Sequence, residues 1–588
     1  MAPVIVRFAI AAIILLAAVC WSQPGKGPSK WQIPFLGVVT PPNNERHSQP
    51  PEFGDQYGGT SIRVQKGTGF FTIAKAGNRW TLVTPEGNAF WMRGMQHAND
   101  GYMDRAVLQQ KYGGNLNQWA VQRNRRLLAW GFNAIGEYHE DRGLPVGVYG
   151  SNEGNPVKLP FVVFSNVLLQ GFNTPGRLGL PDPLKSITAG ISTTYYDGWR
   201  GLVLDVYDPH APDAYRAAIA NSVKTFTGGF ANDPWVVGIT LDDSDVMFAL
   251  KGGPKGRVNQ YPHPVYLIAI TNFWYTSAND EQGRNFKDHK LYAKYAWVDF
   301  LKKKYGTIDA LNAAWGSNYS TFDDDGGWGE GHGLLDEDGR HRAWLGRDFY
   351  GLSDTKPAVR SDMDTFLYEF ARHYADTAVK AIREVDRHHL IFGPIALNSW
   401  GARARDQVLR GMADGGFDMF YLAFDPVHPD LRDDNETYDI TGKPAMMWYG
   451  VNANRDSAMH AVSPIYGAPD FPTQQERGAA YARDLLDFYN ARGKNGDYYI
   501  MGIDFWELGD NYRENTNWGV LTRKDNAYDG KEAVRNAGKD AAGLPTGGED
   551  RDYGDFLTSV RNANLEIQDR LTRDLSSFAQ GPGKGKKP

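Results

Sequence analysis

The chain has 588 residues, enough for one large domain with additions or for several small ones. A hydrophobic fraction of 41% and a charged fraction of 22% are ordinary globular values, so most of the chain is expected to fold around a full core. With 63 basic against 69 acidic residues the net charge is −6, which gives no electrostatic basis for nucleic acid or an anionic membrane as partner. Aromatics make up 13%, with 17 Trp and 30 Tyr, and serve either as a bulky core or as stacking platforms for sugar rings. The lone cysteine, Cys20, excludes an internal disulfide framework and a cysteine-ligated zinc site.

In chain order, residues 1–22 combine Arg7, the apolar run Phe8 to Val19 and small residues ending at Ser22, the pattern of a secretory signal peptide. A lipoprotein anchor at Cys20 and an uncleaved N-terminal anchor are the rival readings, and all three place the folded part outside the cytoplasm, secreted or periplasmic. Residues 23–58, rich in Pro, Gly, Asn and Ser, read as a linker or arm. Ser61–Val64, Phe70–Ile73 and Trp80–Val83, punctuated by Gly77-Asn78 and Pro85-Glu86-Gly87-Asn88, predict a small β-hairpin lid.

Apolar strand-like runs follow at Ala89–Met95, Phe132–Ile135, Pro160–Phe164, Val236–Leu241, Leu390–Ile395, Met419–Ala423, Ala445–Tyr449 and Tyr498–Phe505. Between them lie helical stretches such as Leu291, Tyr295, Val298, Leu301 and Tyr305, or Phe366, Phe370, Tyr374 and Ala378, each set on one helix face. Eight such runs alternating with helices predict an α/β fold, a (β/α)8 TIM barrel, over 59–540. Residues 306–362 lack clear periodicity and read as a site-shaping loop. The remainder, 541–588, holds one helix (Asp555 to Ser577) and a tail expected to be disordered.

Active sites of such barrels sit at the C-terminal strand ends, so the polar groups after each run are the candidates. These are His97 after the first run, Glu137 and His139 after the second and Asp242, Asp243 and Asp245 after the fourth. Trp400 follows the fifth, Asp425 and His428 the sixth, and Trp506, Glu507 and Asp510 end the eighth. Glycosidic cleavage needs one carboxylic acid to protonate the leaving oxygen and one carboxylate as nucleophile or base. Each candidate also has a structural reading: Glu137 can bond arginines, the aspartates of 242–245 can cap a helix or hold a cation, and Glu507 can be a buried ion-pair partner.

Phe70-Phe71, Arg79 to Gly87, Trp130 to Gly136, Asp205-Val206-Tyr207-Asp208-Pro209, Phe300-Leu301, Lys304 to Gly316, Gln474 to Arg477 and Asn517 to Val520 form an ordered set across residues 68–535. In this set the chain resembles the agarase-type glycoside hydrolase family 50 of clan A, with a further likeness to family 42. The resemblance implies an O-glycosyl hydrolase, a carbohydrate substrate such as a galactan, and no cofactor. That family places its acid/base Glu after an Asn at the end of strand four, where this chain has Ser244-Asp245. Its nucleophile Glu ends strand seven, where this chain has Trp448 and no carboxylate between Lys443 and Arg455. An indole cannot form a glycosyl ester, so the retaining double displacement lacks its nucleophile here.

Three readings follow. The first is a hydrolase with a relocated pair, Asp245 as acid and Glu507 or Glu137 as base, inverting at the anomeric carbon. In it His97, His139, Asp243, Trp400, Asp425, Trp448 and Trp506 would bind substrate. The second is a barrel that binds polysaccharide without cleaving it. The third is a metal-dependent hydrolase using the aspartates with His97, His139 or His428, although no HExxH-like spacing is present and no metal site is assigned. Oligomeric state is left open.

Overall fold

The computed structural model describes residues 51–137, 156–165, 191–194, 200–203, 205–213, 215–216, 230–243, 252–253, 257–258, 263, 265, 268, 292–327, 331–335, 356–395, 397–398, 403–424, 431–450, 471–510, 518–527 and 553–579. The first strands, β1 (Thr72–Ala76), β2 (Arg79–Val83) and β3 (Ala89–Phe90), form an antiparallel three-stranded sheet. The barrel begins with β4 (Met92–Met95), followed by α1 (Arg105–Tyr112), α2 (Leu116–Ala129), β5 (Ala134–Ile135) and β6 (Phe161–Ser165). An antiparallel pair, β7 (Ile191–Thr194) and β8 (Arg200–Val203), precedes β9 (Val236–Asp243), and a second pair, β10 (Gly252–Gly253) and β11 (Arg257–Val258), follows it.

Next come α3 (Tyr292–Tyr305), α4 (Ile308–Trp315), α5 (Pro357–Val385) and β12 (Leu390–Ile395). Then α6 (Asp406–Asp414), β13 (Phe420–Ala423), α7 (Arg432–Thr441), β14 (Ala445–Gly450), α8 (Gln474–Asn490), β15 (Ile500–Trp506) and α9 (Gly554–Ala579) complete the order.

Eight strands lie in one parallel sheet in the order β12-β9-β6-β5-β4-β15-β14-β13. Parallel bridges Phe392 to Met419 and Leu397 to Leu422 join its two edges, so the sheet closes on itself. This is the (β/α)8 barrel expected from the eight apolar runs. The strands are buried on both faces, as β15 shows: all seven of its residues are buried. Ile503 and Phe505 alternate with Asp504 and Trp506; Phe505 packs outward on Tyr481 of α8 and Phe556 of α9.

The run Ala89–Met95 divides in two. Ala89–Phe90 pairs antiparallel with β2, and only Met92–Met95 enters the barrel. The hairpin sheet itself meets the barrel through residues that precede strands: Arg79 bridges to Tyr498 before β15, Tyr57 stacks on Trp235 before β9, and Phe70 stacks on His388 before β12. It therefore plugs the N-terminal end of the barrel, opposite the mouth, and the expected lid is a floor.

The described residues of 306–362 include regular helix where the sequence was read as a loop. Thr307 caps α4 by accepting the Ala310 N–H at 3.2 Å, and Gly316 ends it in the left-handed conformation, with φ 60°. Pro357 opens α5, whose buried stripe of Val359, Met363, Phe366, Phe370, Tyr374 and Ala378 follows helical spacing. At the far end of the chain, α9 packs on α8 and ties back to the barrel. Asn564 donates to the Trp130 carbonyl at 3.0 Å, and Gln568 accepts from the guanidinium of Arg93 at 3.0 Å.

Candidate active site

The C-terminal ends of β4, β5, β14 and β15 meet at one mouth. Glu507 follows β15 directly and is almost wholly buried, with its Oε2 2.7 Å from Nδ1 of His97, which follows β4. His97 has φ 47°, a left-handed backbone that turns the chain at the mouth. Its N–H donates to the Glu137 carbonyl at 3.1 Å, and its own carbonyl accepts from the Asn99 N–H at 2.7 Å. The ends of β4 and β15 are stitched further by Gln96 N–H to the Phe505 carbonyl (2.9 Å) and Leu508 N–H to the Gln96 carbonyl (3.1 Å). His97 thus meets Glu507 through its carboxylate and Glu137 through its backbone carbonyl, two of the three residues expected to carry chemistry. Both are buried, Glu137 completely.

Aromatic rings form the wall of the mouth. The His97 imidazole lies 4.2 Å from the Trp506 ring, Trp506 lies 5.4 Å from Trp448, and Trp518 meets Trp506 edge-on at 6.0 Å. Trp448 is half-buried. It lies on β14, the seventh barrel strand, in register with Asp504. Tyr449, one residue on, faces the helices instead, donating to Asp484 of α8 at 2.9 Å.

Several strand-end groups turn away from the barrel interior. Asp242 accepts from the hydroxyls of Tyr215 (2.9 Å) and Tyr374 on α5 (3.0 Å), so it belongs to the helix layer. Asp510 accepts the Gly519 N–H and the Tyr553 hydroxyl and pins the loop after β15. Arg93 points outward to carbonyls and Gln568; burial lowers its pKa to about 10. Asp243 is the last residue of β9, paired with Ile395. Asp245, His139, Trp400, Asp425, His428 and the expected signal peptide lie outside the described residues. Among the described residues no group of three or more His, Cys, Asp or Glu is arranged to hold a metal ion, and no helix is long and apolar enough to cross a membrane.

The structure gives a distinct place to a residue of the eighth run to which the sequence assigned no role. Asp504 lies within β15, completely buried, its Oδ2 accepting the Glu137 N–H at 2.9 Å and the hydroxyl of Tyr421 from β13. Two glycines make room for it. A Cβ on Gly136 would lie 1.6 Å from Asp504 Oδ1, and one on Gly94 would lie 2.8 Å from it. Burial pushes the Asp504 carboxyl up to about 7, and the hydrogen bonds from Tyr421, the Glu137 N–H and Gln96 only partly offset that rise. Burial, together with the Asp504 and Glu137 charges, raises the Tyr421 hydroxyl well above its ordinary value.

No family model matches the chain. A curated beta-agarase B from Vibrio sp. (strain JT0107) is 23% identical over 505 residues, covering 79% of this chain but 47% of its own length; the chain therefore spans about half of that relative. Among solved structures, an agarase, AgWH50C, superposes with a TM-score of 0.58 at 17% identity, covering 89% of this chain and 68% of the other. An exo-beta-agarase does so with 0.58 at 18%, covering 90% and 68%, and BpGH50 with 0.54 at 14%, covering 89% and 87%. At these identities the likeness establishes the fold, and the resemblance drawn from the sequence carries through to it: this chain is built on the (β/α)8 barrel that those agarases share.

Proposed function

We propose that the chain is an exported glycoside hydrolase that cleaves O-glycosidic bonds of a poly- or oligosaccharide, a galactan being the first substrate to try. The single observation that carries this reading is the Glu507 carboxylate on His97, whose N–H bonds the Glu137 carbonyl, at a mouth walled by Trp448, Trp506 and Trp518. Indole faces suit the C–H side of a pyranose ring, and the carboxyl groups beside them are the acid and base that glycosidic cleavage needs. The beta-agarase relative and the agarases of similar fold point to the same class of substrate.

In this reading Asp245 donates a proton to the leaving oxygen, and Glu507 or Glu137 draws a proton from water. With Trp448 on β14 in place of the family's strand-seven glutamate, this reading has the glutamate act as a base on water rather than as a nucleophile, which inverts the anomeric carbon. The Glu507 side chain is oriented by His97, which fixes where its second oxygen points. His139, Asp243, Trp400 and Asp425 complete the substrate contacts. The test is a polysaccharide screen with the anomer of the first product read by NMR, repeated for Asp245→Asn, Glu137→Gln and Glu507→Gln. Inverted product and loss of turnover in Asp245→Asn and one glutamate variant are expected. Wild-type turnover in all three would remove the assignment.

One observation favours a second reading, a barrel that binds glycan without cutting it: the strand-seven carboxylate is replaced by Trp448. Saturable binding to a polysaccharide with no new reducing ends would establish that reading in place of the first.

A further inference from the structure

Asp504 takes no part in the reaction as proposed, yet it lies directly beneath the groups that do. It is completely buried, as is Glu137, and among the described residues no lysine, arginine or histidine forms an ion pair with it. The titratable groups that face it are Glu137 from the end of β5 and Tyr421 from β13; β4 and β14 present Gly94, Gln96 and Trp448, which carry no charge. Its Oδ2 accepts two hydrogen bonds, while Oδ1 rests in the space left by Gly94 and Gly136 with no hydrogen-bond partner. A carboxylate buried this completely, with no ion-pair partner among the described residues, ionises only at high cost, so Asp504 keeps a proton.

From Asp504 a chain of contacts runs to both candidate carboxylates. The Glu137 N–H donates to Asp504, the Glu137 carbonyl accepts from the His97 N–H, and His97 Nδ1 meets Glu507. We infer that Asp504 is a proton-holding positioning residue, which fixes the Glu137 backbone and, by staying neutral, keeps a second negative charge from forming under the mouth. The inference rests on the hydrolase reading for its effect on turnover, but the location of the proton does not. When Asp504 ionises, the added charge beneath Glu137 opposes ionisation of that glutamate and loosens the hydrogen bonds that align it. The burial that raises the Asp504 carboxyl to about 7 puts this event near neutrality.

Two measurements test it, on the full chain. Infrared difference spectra at neutral pH should show the C=O band of a protonated carboxylic acid in the wild type, absent from Asp504→Asn. Identical spectra would overturn the inference whether or not any glycan is cleaved. On a glycan that the wild type hydrolyses, the alkaline limb of the kcat/KM profile should vanish in Asp504→Asn. It should move to higher pH in Tyr421→Phe, because losing the hydroxyl removes a hydrogen bond that favours the ionised form. A uniform loss at every pH, with the limb in place in both variants, would mark a merely structural residue and overturn the inference. Should Asp504→Asn fail to fold, the shift in Tyr421→Phe decides. Should no glycan be turned over, the infrared band decides alone.

Discussion

Two buried aspartates, one outside the barrel and one inside it, show what burial of a carboxylate does and does not signify. Asp525 sits under the loop after β15 with φ 58°, and accepts from Arg126 at 2.8 Å and from the hydroxyls of Tyr102 and Tyr112 at 2.6 Å each, with Lys111 at 3.9 Å. Asp362 on α5 is served in the same way by Lys304, Tyr305 and Trp315. Asp504 is buried as completely but has only a tyrosine hydroxyl, a backbone N–H and a neighbouring amide, and its carboxyl rises accordingly. The outer aspartates are cross-links between helices and loops. The inner one is inferred to hold its proton up to near neutral pH. What separates a structural acid from a candidate for function is therefore the charge placed beside it, not its exposure.

The largest effect that could break this comparison is at Glu507. If it belongs with the reactive group, Glu507→Gln lowers kcat by about 10²–10⁴-fold with the fold intact by circular dichroism. Wild-type turnover would move Glu507 to the same side as Asp525. For Asp525 the expectation is reversed. Asp525→Ala leaves Arg126 buried without its partner and lowers the free energy of unfolding by about 3–5 kcal/mol, read in urea, while turnover per folded molecule stays at the wild-type level.

Asp504 falls between these two. Its folded-state pKa, about 7, stands above the ordinary value of 3.8, so the native state holds the proton more tightly than the unfolded chain. The stability this contributes is complete below the unfolded pKa and is lost as pH rises through the folded one. At roughly 1.4 kcal/mol per unit the loss amounts to a few kcal/mol. Urea unfolding at mildly acidic and mildly alkaline pH should show a slope in the wild type that Asp504→Asn flattens. An equal slope in both would place the Asp504 proton elsewhere.

Much of the scaffold was legible because a parallel barrel strand, buried on both faces, writes itself as an unbroken apolar run. Leu390–Ile395 emerged with its predicted bounds, and the others shifted by a few residues at their ends. The face of a polar strand-end residue was not legible. Asp242 reads like a mouth residue but points to α5, since a run of residues buried on both faces gives no alternation to fix the phase. The place of Asp504 was not legible for a related reason, because a polar residue inside a barrel strand can face either the interior or the helices. A carboxylate inside Ile500-Met501-Gly502-Ile503-Asp504-Phe505-Trp506 was the available signal. The helix over Ile308–Trp315 had its signal too, in Thr307 before it and Gly316 after it.

The smallest expected effect sharpens the contrast between the rear of the barrel and its mouth. Thr473 caps α8, its Oγ1 accepting the Glu476 N–H at 3.2 Å while its hydroxyl donates to the Glu476 carboxylate at 3.0 Å. The helix it starts carries Tyr481, whose ring packs 5.5 Å from Phe505 on the outer face of β15. Thr473→Ala removes one capping bond and should lower stability by about 1 kcal/mol, seen as a drop of a few degrees in Tm. Because Phe505 faces α8 while Asp504 and Trp506 face the barrel interior, this loss should stay behind the strand. KM and kcat on any hydrolysed glycan are expected to match the wild type below the unfolding transition. A kcat change larger than the stability change can account for would show that the helix layer sets the position of Glu507, and the division between outer cross-links and inner chemistry would have to be redrawn.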